Sequence, residues 1–259
     1  MGVYNSDSEQ LSNAIESILN QTFQNFEFII CNDCSSKLEV MEVLSKYKSI
    51  DSRIKLISNP QNSGLAASLN HCLKYAKGEY IARMDDDDIS HLDRFEKQVA
   101  FLDEHLEFAI IGCAINIFQN DEIWGYTINK EVPQVTDFLF STPFTHPTVM
   151  IRRNALLDVD GYGVEKITKR TEDYDLFMRM YDKGYLGYNL QEVLFDYRMD
   201  RNGYKKQKFK YRLDEAVVRY RGFKKLGLLP KGTLYILKPI LSGIVPISIK
   251  KWIHKNRYN

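Results

Sequence analysis

Short apolar runs alternate with helical segments along the first 114 residues, and this alternation limits the fold more than any other feature. Runs that favour strands lie at residues 26–30, 54–57, 80–84 and 108–117. The segments between them place apolar residues at helical spacing, for example at residues 65–76. Strands and helices in this order predict an α/β fold, with a mostly parallel central sheet flanked by helices.

The rhythm changes in the second half of the chain. Asp121, Glu122 and Gly125 predict a hairpin, and residues 133–140 and 173–182 are expected to be helices. Ser90 is expected to cap the helix that follows the run of aspartates. Beyond residue 204 the chain is basic and is predicted to be helical.

The charge of the chain is divided unevenly. Residues 198–259 hold 17 Lys and Arg against 3 Asp and Glu, whereas residues 1–197 hold 18 against 31. A basic tail on an acidic body predicts an anionic partner, either a membrane surface or nucleic acid. Because the tail carries no recognised nucleic-acid motif and no aromatic stacking platform, we expect no nucleic-acid partner.

Hydropathy excludes a standard membrane-spanning segment, since no apolar run reaches about 20 residues. Residues 234–249 are mostly apolar but contain Lys238, Pro239 and Pro246, and four basic residues follow them. This pattern predicts a segment that lies on an anionic membrane, the alternative being a helix packed on the body. With four cysteines and no secretory signal, the expected location is cytoplasmic, peripheral on the cytoplasmic face of the inner membrane.

Four consecutive aspartates, Asp85 to Asp88, directly follow the strand at residues 80–84. Adjacent carboxylates repel one another, so such a run needs either solvent or a divalent cation to compensate its charge. Ligands of open α/β sheets bind beyond the carboxyl ends of the strands, which is where this run lies. In an extended segment Asp85 and Asp87 point to one side. The alternative is a solvated acidic loop in which Asp88 caps the next helix.

Three further segments place polar residues at strand ends and helix starts. Asn32 and Asp33 end a strand, and Asn62-Ser63-Gly64 opens a helix whose first amides can hold phosphate. Glu172 and Asp173 begin another helix. Each segment alone is equally typical of an ordinary turn or cap.

Together these segments resemble the family 2 glycosyltransferases of the GT-A fold, of the bacterial polysaccharide and lipopolysaccharide type. The resemblance covers about residues 2–200, and seven segments occur in the family's order and spacing. They are Gly2-Val3-Tyr4-Asn5, residues 14–22, Asn32-Asp33, Asn62-Ser63-Gly64, Asp85 to Asp88, Gly161-Tyr162 and Glu172 to Asp175.

The resemblance implies a set of residues that bind a nucleotide-sugar donor. Asp33 would bind the uracil ring, and Val3 and Tyr4 would belong to the loop around the nucleotide. Arg83 would approach the base in place of an arginine that relatives carry at the position of Leu69. The remaining donor-binding residues implied are Asn62, Gly64, Asp85 and Asp86.

The resemblance also implies the chemistry of transfer. Asp87, with Asp85, would bind Mn²⁺ or Mg²⁺, and Asp173 would be the general base of an inverting displacement. A helix start favours the ionised form of Asp173. His146 and Glu172 would lie on the acceptor side.

The chain departs from the family at three points. Relatives complete the metal site with a histidine after a Tyr-Arg pair, whereas Met199 and Asp200 follow Arg198 here, so Asp200 or water is expected as the third ligand. Relatives also carry a longer first strand, and we expect Met1 to be an internal methionine. The Gln-x-x-Arg-Trp motif of processive synthases is absent, which favours transfer of a single sugar.

We therefore expect a GT-A catalytic domain over residues 1–200 and a basic helical region over 201–259. The implied function is inverting, metal-dependent transfer from a nucleotide-diphosphate sugar, a UDP-sugar, to a glycan or lipid-linked glycan in surface polysaccharide biosynthesis. The alternatives are a catalytically inactive sugar-nucleotide-binding scaffold and a nucleotidyltransferase. The second normally carries a Gly-rich loop after its first strand, which Gly2 to Asn5 do not supply.

Overall fold

The computed structural model describes residues 1–120, 122–200 and 208–244. Its first half contains a three-stranded parallel sheet in the order β1-β2-β3, with helices on the connections. The strands are β1 (Gly2–Val3), β2 (Phe28–Asn32) and β3 (Ile54–Ser58), and the helices are α1 (Ser8–Leu19), α2 (Leu38–Ile50) and α3 (Leu65–Tyr75). The alternation of strand and helix predicted for this half is confirmed.

A six-stranded sheet forms the second half, in the order β4-β8-β6-β9-β5, with β7 paired to β6. Its strands are β4 (Tyr80–Ala82), β5 (Ile89–Ser90), β6 (Phe108–Gln119), β7 (Glu122–Thr127), β8 (Met150–Arg152) and β9 (Leu186–Arg198). The β6–β9 pair is parallel, and the other pairs are antiparallel. This sheet is therefore mixed, because β6 is parallel to β9 and antiparallel to β7 and β8.

Five helices complete the described chain: α4 (Arg94–Glu104), α5 (Arg153–Asp158), α6 (Glu172–Asp182), α7 (Phe209–Lys225) and α8 (Thr233–Ile244). Within these residues, none of the helices has the length and apolar character that crossing a bilayer requires. The basic residues predicted near the end of the chain, at 250–257, lie outside the described residues.

A local signal explains where α1 begins, and two other predicted helix boundaries need correction. The Asp7 side chain caps α1 by accepting hydrogen bonds from the amides of Glu9 and Gln10. Ser90 does not cap α4, because it lies in β5, where it pairs with β9, and α4 begins only at Arg94. Residues 133–140 form a short 3₁₀ helix, Val135–Leu139, rather than an α-helix.

The first of the two C-terminal helices packs on the body of the protein. Val218 and Phe223 of α7 belong to the same apolar cluster as Phe177 of α6. A side chain at Gly222 would collide with Met178 of α6, so the glycine lets the two helices approach closely. The predicted basic helical region thus begins with a helix, α7, that packs against α6 of the body.

A cavity of about 700 Å³ separates the two sheets. It is lined by apolar side chains of β2 and β4 and of the helices beside them, among them Ile29, Ile81 and Phe95. Within the described residues β4 pairs only with β8, and β1 pairs with β2 only from Cys31 onward. Two strand edges therefore face each other across an apolar space.

Candidate active site

The polar residues predicted as a site surround the carboxyl ends of β2 and β4 and the starts of α3 and α6. The Asp33 carboxylate ends β2 and is buried. It accepts hydrogen bonds from the amides of Ser63 and Gly64, each at 2.8 Å, and from the side chain of Asn59 at 2.7 Å. Asp33 thus fixes the backbone just before α3. A donor base that bound Asp33 would have to use the carboxylate lone pairs that Asn59, Ser63 and Gly64 do not occupy.

The loop after β1 contacts both Asp33 and the run of aspartates. Val3 is buried in the core, so its side chain cannot contact a nucleotide, and its carbonyl accepts the amide of Asp33 at 2.8 Å. The exposed ring of Tyr4 is available for such a contact. Ser6 donates a hydrogen bond to Asp86, which joins this loop to the run of aspartates. Asn62 is exposed.

Three of the four aspartates come together. One carboxylate oxygen each from Asp85, Asp87 and Asp88 lie within 4.8 Å of one another. Asp86 is turned to Ser6. Strict alternation would place Asp88 on the side of Asp86, but residues 86 and 87 form a bend, and Asp88 joins Asp85 and Asp87 instead. Asp88 does not cap a helix: one oxygen accepts the amide of Arg198 at 2.7 Å. Its other oxygen is buried without a hydrogen-bond partner among the described residues.

Burial and the repulsion between neighbouring carboxylates disfavour the ionised forms of Asp87 and Asp88. Burial, followed by the charges of Asp85 and Asp86, raises the pKa of Asp87 to about 6. Burial, followed by Asp85 and Asp87, raises the pKa of Asp88 well above its usual range. A cation among these oxygens would reverse both effects.

The group fits a divalent cation of the magnesium or manganese type. Such ions prefer carboxylate oxygens, and three are present at close range with an unpartnered buried oxygen on Asp88. Among the described residues, the carboxylate that lies close to Asp85 and Asp87 is that of Asp88. Asp200 lies outside this group and accepts a hydrogen bond from Gln119 at 3.3 Å.

Arg83 joins the aspartates to the second half of the site. Its buried guanidinium forms an ion pair with Asp85. Its Nε and Nη1 have no hydrogen-bond partner within the described residues. Its charge acts on Tyr162, Asp173 and His146, and it shares no described contact with Asp33. The structure thus places Arg83 beside the acidic group, and its approach to the base of a donor stays a prediction.

Tyr162 is buried where the two halves meet. Asn70 of α3 holds its backbone from both sides, since the side-chain amide donates to the Tyr162 carbonyl at 2.7 Å and the side-chain oxygen accepts its amide at 2.8 Å. The Tyr162 hydroxyl lies 3.0 Å from Nε2 of His146. Burial and the charges of Asp173, Glu172 and Asp85 raise the pKa of the hydroxyl. Burial lowers the pKa of His146, which is therefore neutral.

Asp173 lies in the first turn of α6, partly exposed in the cleft. Burial, followed by the charge of Glu172, raises the pKa of its carboxyl to about 6. The helix start lowers the pKa through hydrogen bonds to the amides of Asp173 and Tyr174, but burial outweighs this effect. The carboxyl is thus poised to exchange a proton near neutral pH.

Asp175 has a different role on the same helix. It forms an ion pair with Arg179 at 2.8 Å, and Arg179 donates to the carbonyl of Gly161 at 2.8 Å. The pair therefore supports the loop that carries Tyr162.

Sequence reasoning missed Asp88 as a member of the acidic group and gave no role to Tyr162 or Asn70. Asp88 was visible as a neighbour of the predicted ligands. The pairing of Asn70 with Tyr162 joins residues 92 positions apart and had no local signal.

An α/β scaffold with a close group of carboxylates at its strand ends, and a carboxylate with a raised pKa at a helix start, is typical of a transferase of the GT-A fold. The chain belongs to glycosyl transferase family 2, whose model matches residues 1–161. It is a glycosyltransferase.

Known proteins agree with this assignment. The chain is 40% identical to the putative glycosyltransferase EpsE of Bacillus subtilis, over 99% of this chain and 92% of that protein. It is 29% identical to the UDP-Gal:alpha-D-GlcNAc-diphosphoundecaprenol beta-1,3-galactosyltransferase of Escherichia coli, over 98% and 94% of the two chains. The fold is similar to S. aureus TarS 1-349 in complex with UDP-GlcNAc, with a TM-score of 0.70 and 17% identity, over 98% of this chain and 78% of that one.

Proposed function

We propose that this enzyme transfers one sugar, with inversion, from a UDP-sugar to a glycan or lipid-linked glycan acceptor in surface polysaccharide biosynthesis. The observation that carries the proposal is the pairing of a cation-type acidic group with Asp173, whose pKa is about 6, across a buried Arg83 and Tyr162. The Escherichia coli relative, whose name gives both a UDP-Gal donor and a diphosphoundecaprenol-linked acceptor, supports the two substrate classes.

The donor is held by the residues at the strand ends. Asp85 and Asp87, with Asp88 beside them, would bind Mn²⁺ or Mg²⁺. When bound, a divalent cation neutralises charge on the leaving diphosphate. The two unpartnered nitrogens of Arg83 are suited to donate to phosphate or sugar oxygens. Tyr4, Asp33, Asn62, Gly64 and Asp86 are assigned to the nucleotide side.

Asp173 acts on the acceptor. Its ionised carboxylate takes the proton of the attacking hydroxyl as the bond from that oxygen to the anomeric carbon forms. The bond from the anomeric carbon to the diphosphate breaks at the same time, and its electron pair leaves with the diphosphate. His146 and Glu172, on the acceptor side, keep the acceptor in place, and the His146–Tyr162 contact fixes that side of the cleft.

The enzyme works, in this proposal, at the cytoplasmic face of the inner membrane, to which the basic C-terminal region binds. A lipid-linked acceptor presents its sugar at that surface.

A panel of nucleotide sugars tests the donor and the mechanism. Calorimetry with Mn²⁺ should show that a UDP-sugar binds and that binding is lost without the cation. NMR of the product should show the anomeric configuration opposite to that of the donor. Retention of configuration, or binding of none of the UDP-sugars, would overturn the proposal.

A further inference from the structure

Helix α7 carries a row of apolar side chains that are exposed to solvent. These residues are spaced by four, four and three positions, which places them on one face, and they are 42% to 50% exposed. They are Phe209, Leu213, Val217 and Tyr220. A different face of the helix, with Ala216, Arg219 and Phe223, is buried against the body.

Helix α8 carries a second row of exposed apolar side chains. Leu234, Leu237 and Leu241 lie at positions three and four apart and are 77%, 46% and 61% exposed. The two helices run side by side in opposite directions. A side chain at Gly232, before α8, would meet Phe223, and one at Gly243, near the end of α8, would meet Phe209. The two rows therefore lie on neighbouring helices.

Basic residues border these rows. Lys210 lies three positions before Leu213, and Lys224 lies four positions after Tyr220. Other basic residues of the two helices and their connection are Arg212, Arg219, Arg221, Lys225, Lys231 and Lys238. Because residues 198–259 carry 17 basic and 3 acidic side chains, a second copy of the same surface would bring like charges together.

We propose that the exposed apolar rows of α7 and α8, which we name the docking face, insert into the surface of a membrane that contains anionic phospholipid. Apolar side chains bordered by lysines are the features of helices that lie in the interface of such a bilayer. The docking face supplies the contact that the proposed function assigns only to the basic region as a whole.

Two contacts join the helices that carry the docking face to the body of the protein. Arg219 of α7 lies over the ring of Tyr174, next to Asp173, with 4.9 Å between the guanidinium carbon and the ring centre. Lys238 of α8 donates to the carbonyl of Phe140 at 2.7 Å. The inference rests on the proposed function in one respect, the membrane binding of the C-terminal region, whereas the chemistry proposed for Asp173 does not depend on it.

Vesicle sedimentation tests the proposal on the full chain. We expect the protein to sediment with vesicles of phosphatidylcholine and phosphatidylglycerol and to remain largely free with phosphatidylcholine alone. Leu234→Glu should lower the partition coefficient on the mixed vesicles about tenfold, since it removes one inserted side chain and adds a repelled charge. Leu106→Glu is the matched control, because Leu106 is also 77% exposed but lies between α4 and β6, and its partition should be unchanged.

Unchanged partition of Leu234→Glu would overturn the proposal, and so would equal binding to the two kinds of vesicle. If light scattering instead found a dimer that Leu234→Glu dissociates, the docking face would be an interface between copies. If melting showed that Leu234→Glu does not fold, Lys224→Glu would replace it, with the same expected loss. Transfer to a water-soluble acceptor without vesicles tests the proposed function separately and should not change in Leu234→Glu.

Discussion

Replacing Asp173 with Asn tests the proposed base directly. The variant keeps the size and shape of the side chain but replaces one carboxylate oxygen with an NH2 group, so it cannot accept the proton of the acceptor hydroxyl. Turnover should fall by about 10²–10⁴, the usual contribution of general acid–base catalysis. The affinity for donor and Mn²⁺ should barely change, because the carboxylates proposed to hold them lie in the group after β4.

The structure also predicts the pH dependence of the wild-type enzyme. Since burial raises the pKa of Asp173 to about 6, the carboxyl is about nine-tenths ionised at pH 7 and about one-tenth ionised at pH 5. The ionised form is the active base, so kcat/KM should fall about tenfold between these values as the pH is lowered. An unburied aspartate would place this fall near pH 4.

The assay is transfer at saturating Mn²⁺ from pH 5 to pH 8, with the acceptor varied. Asp173→Asn should lose the acidic limb as well as most of the rate. Asp182→Asn is the control, because Asp182 ends the same helix and is exposed. Asp175→Asn is unsuitable as a control, since Asp175 supports the Tyr162 loop through Arg179. Near-normal turnover in Asp173→Asn, or an acidic limb that persists in it, would refute the assignment.

Three further changes should have separate effects. Asp87→Ala should abolish Mn²⁺-dependent binding of UDP in calorimetry, because it removes a carboxylate from the acidic group. Gly161→Ala should lower the free energy of unfolding by about 2 kcal/mol in denaturant titrations. Its φ is +63°, and the new methyl group would lie 2.5 Å from Oδ1 of Asn70. Fusing an apolar, strand-forming segment ahead of Met1 should raise the melting temperature by several degrees, because it can fill the cavity between β2 and β4.

Each of these changes has its own control. Asp182→Ala should leave metal-dependent binding intact, and equal binding by Asp87→Ala would contradict the metal assignment. Gly184→Ala also places a methyl group at positive φ but in open space, so it should cost less than Gly161→Ala. A polar Gly-Ser extension of the same length should leave the melting temperature unchanged. An equal rise with both extensions would contradict the packing argument.

The sequence by itself determined the features that depend on neighbouring residues. The cap of α1 at Asp7, the parallel strands of the first half and the position of four aspartates after β4 follow from capping, periodicity and chain order.

Only the tertiary structure decided the features that depend on distant residues. The mixed pairing of β8 and β9 around β6 arises where strands from separate parts of the chain meet. Tyr162 is held by Asn70, 92 positions away, through contacts that no local pattern signals. The pKa of Asp173 rises although its helix start favours the opposite shift, because the loss of water around a folded carboxyl outweighs a local dipole.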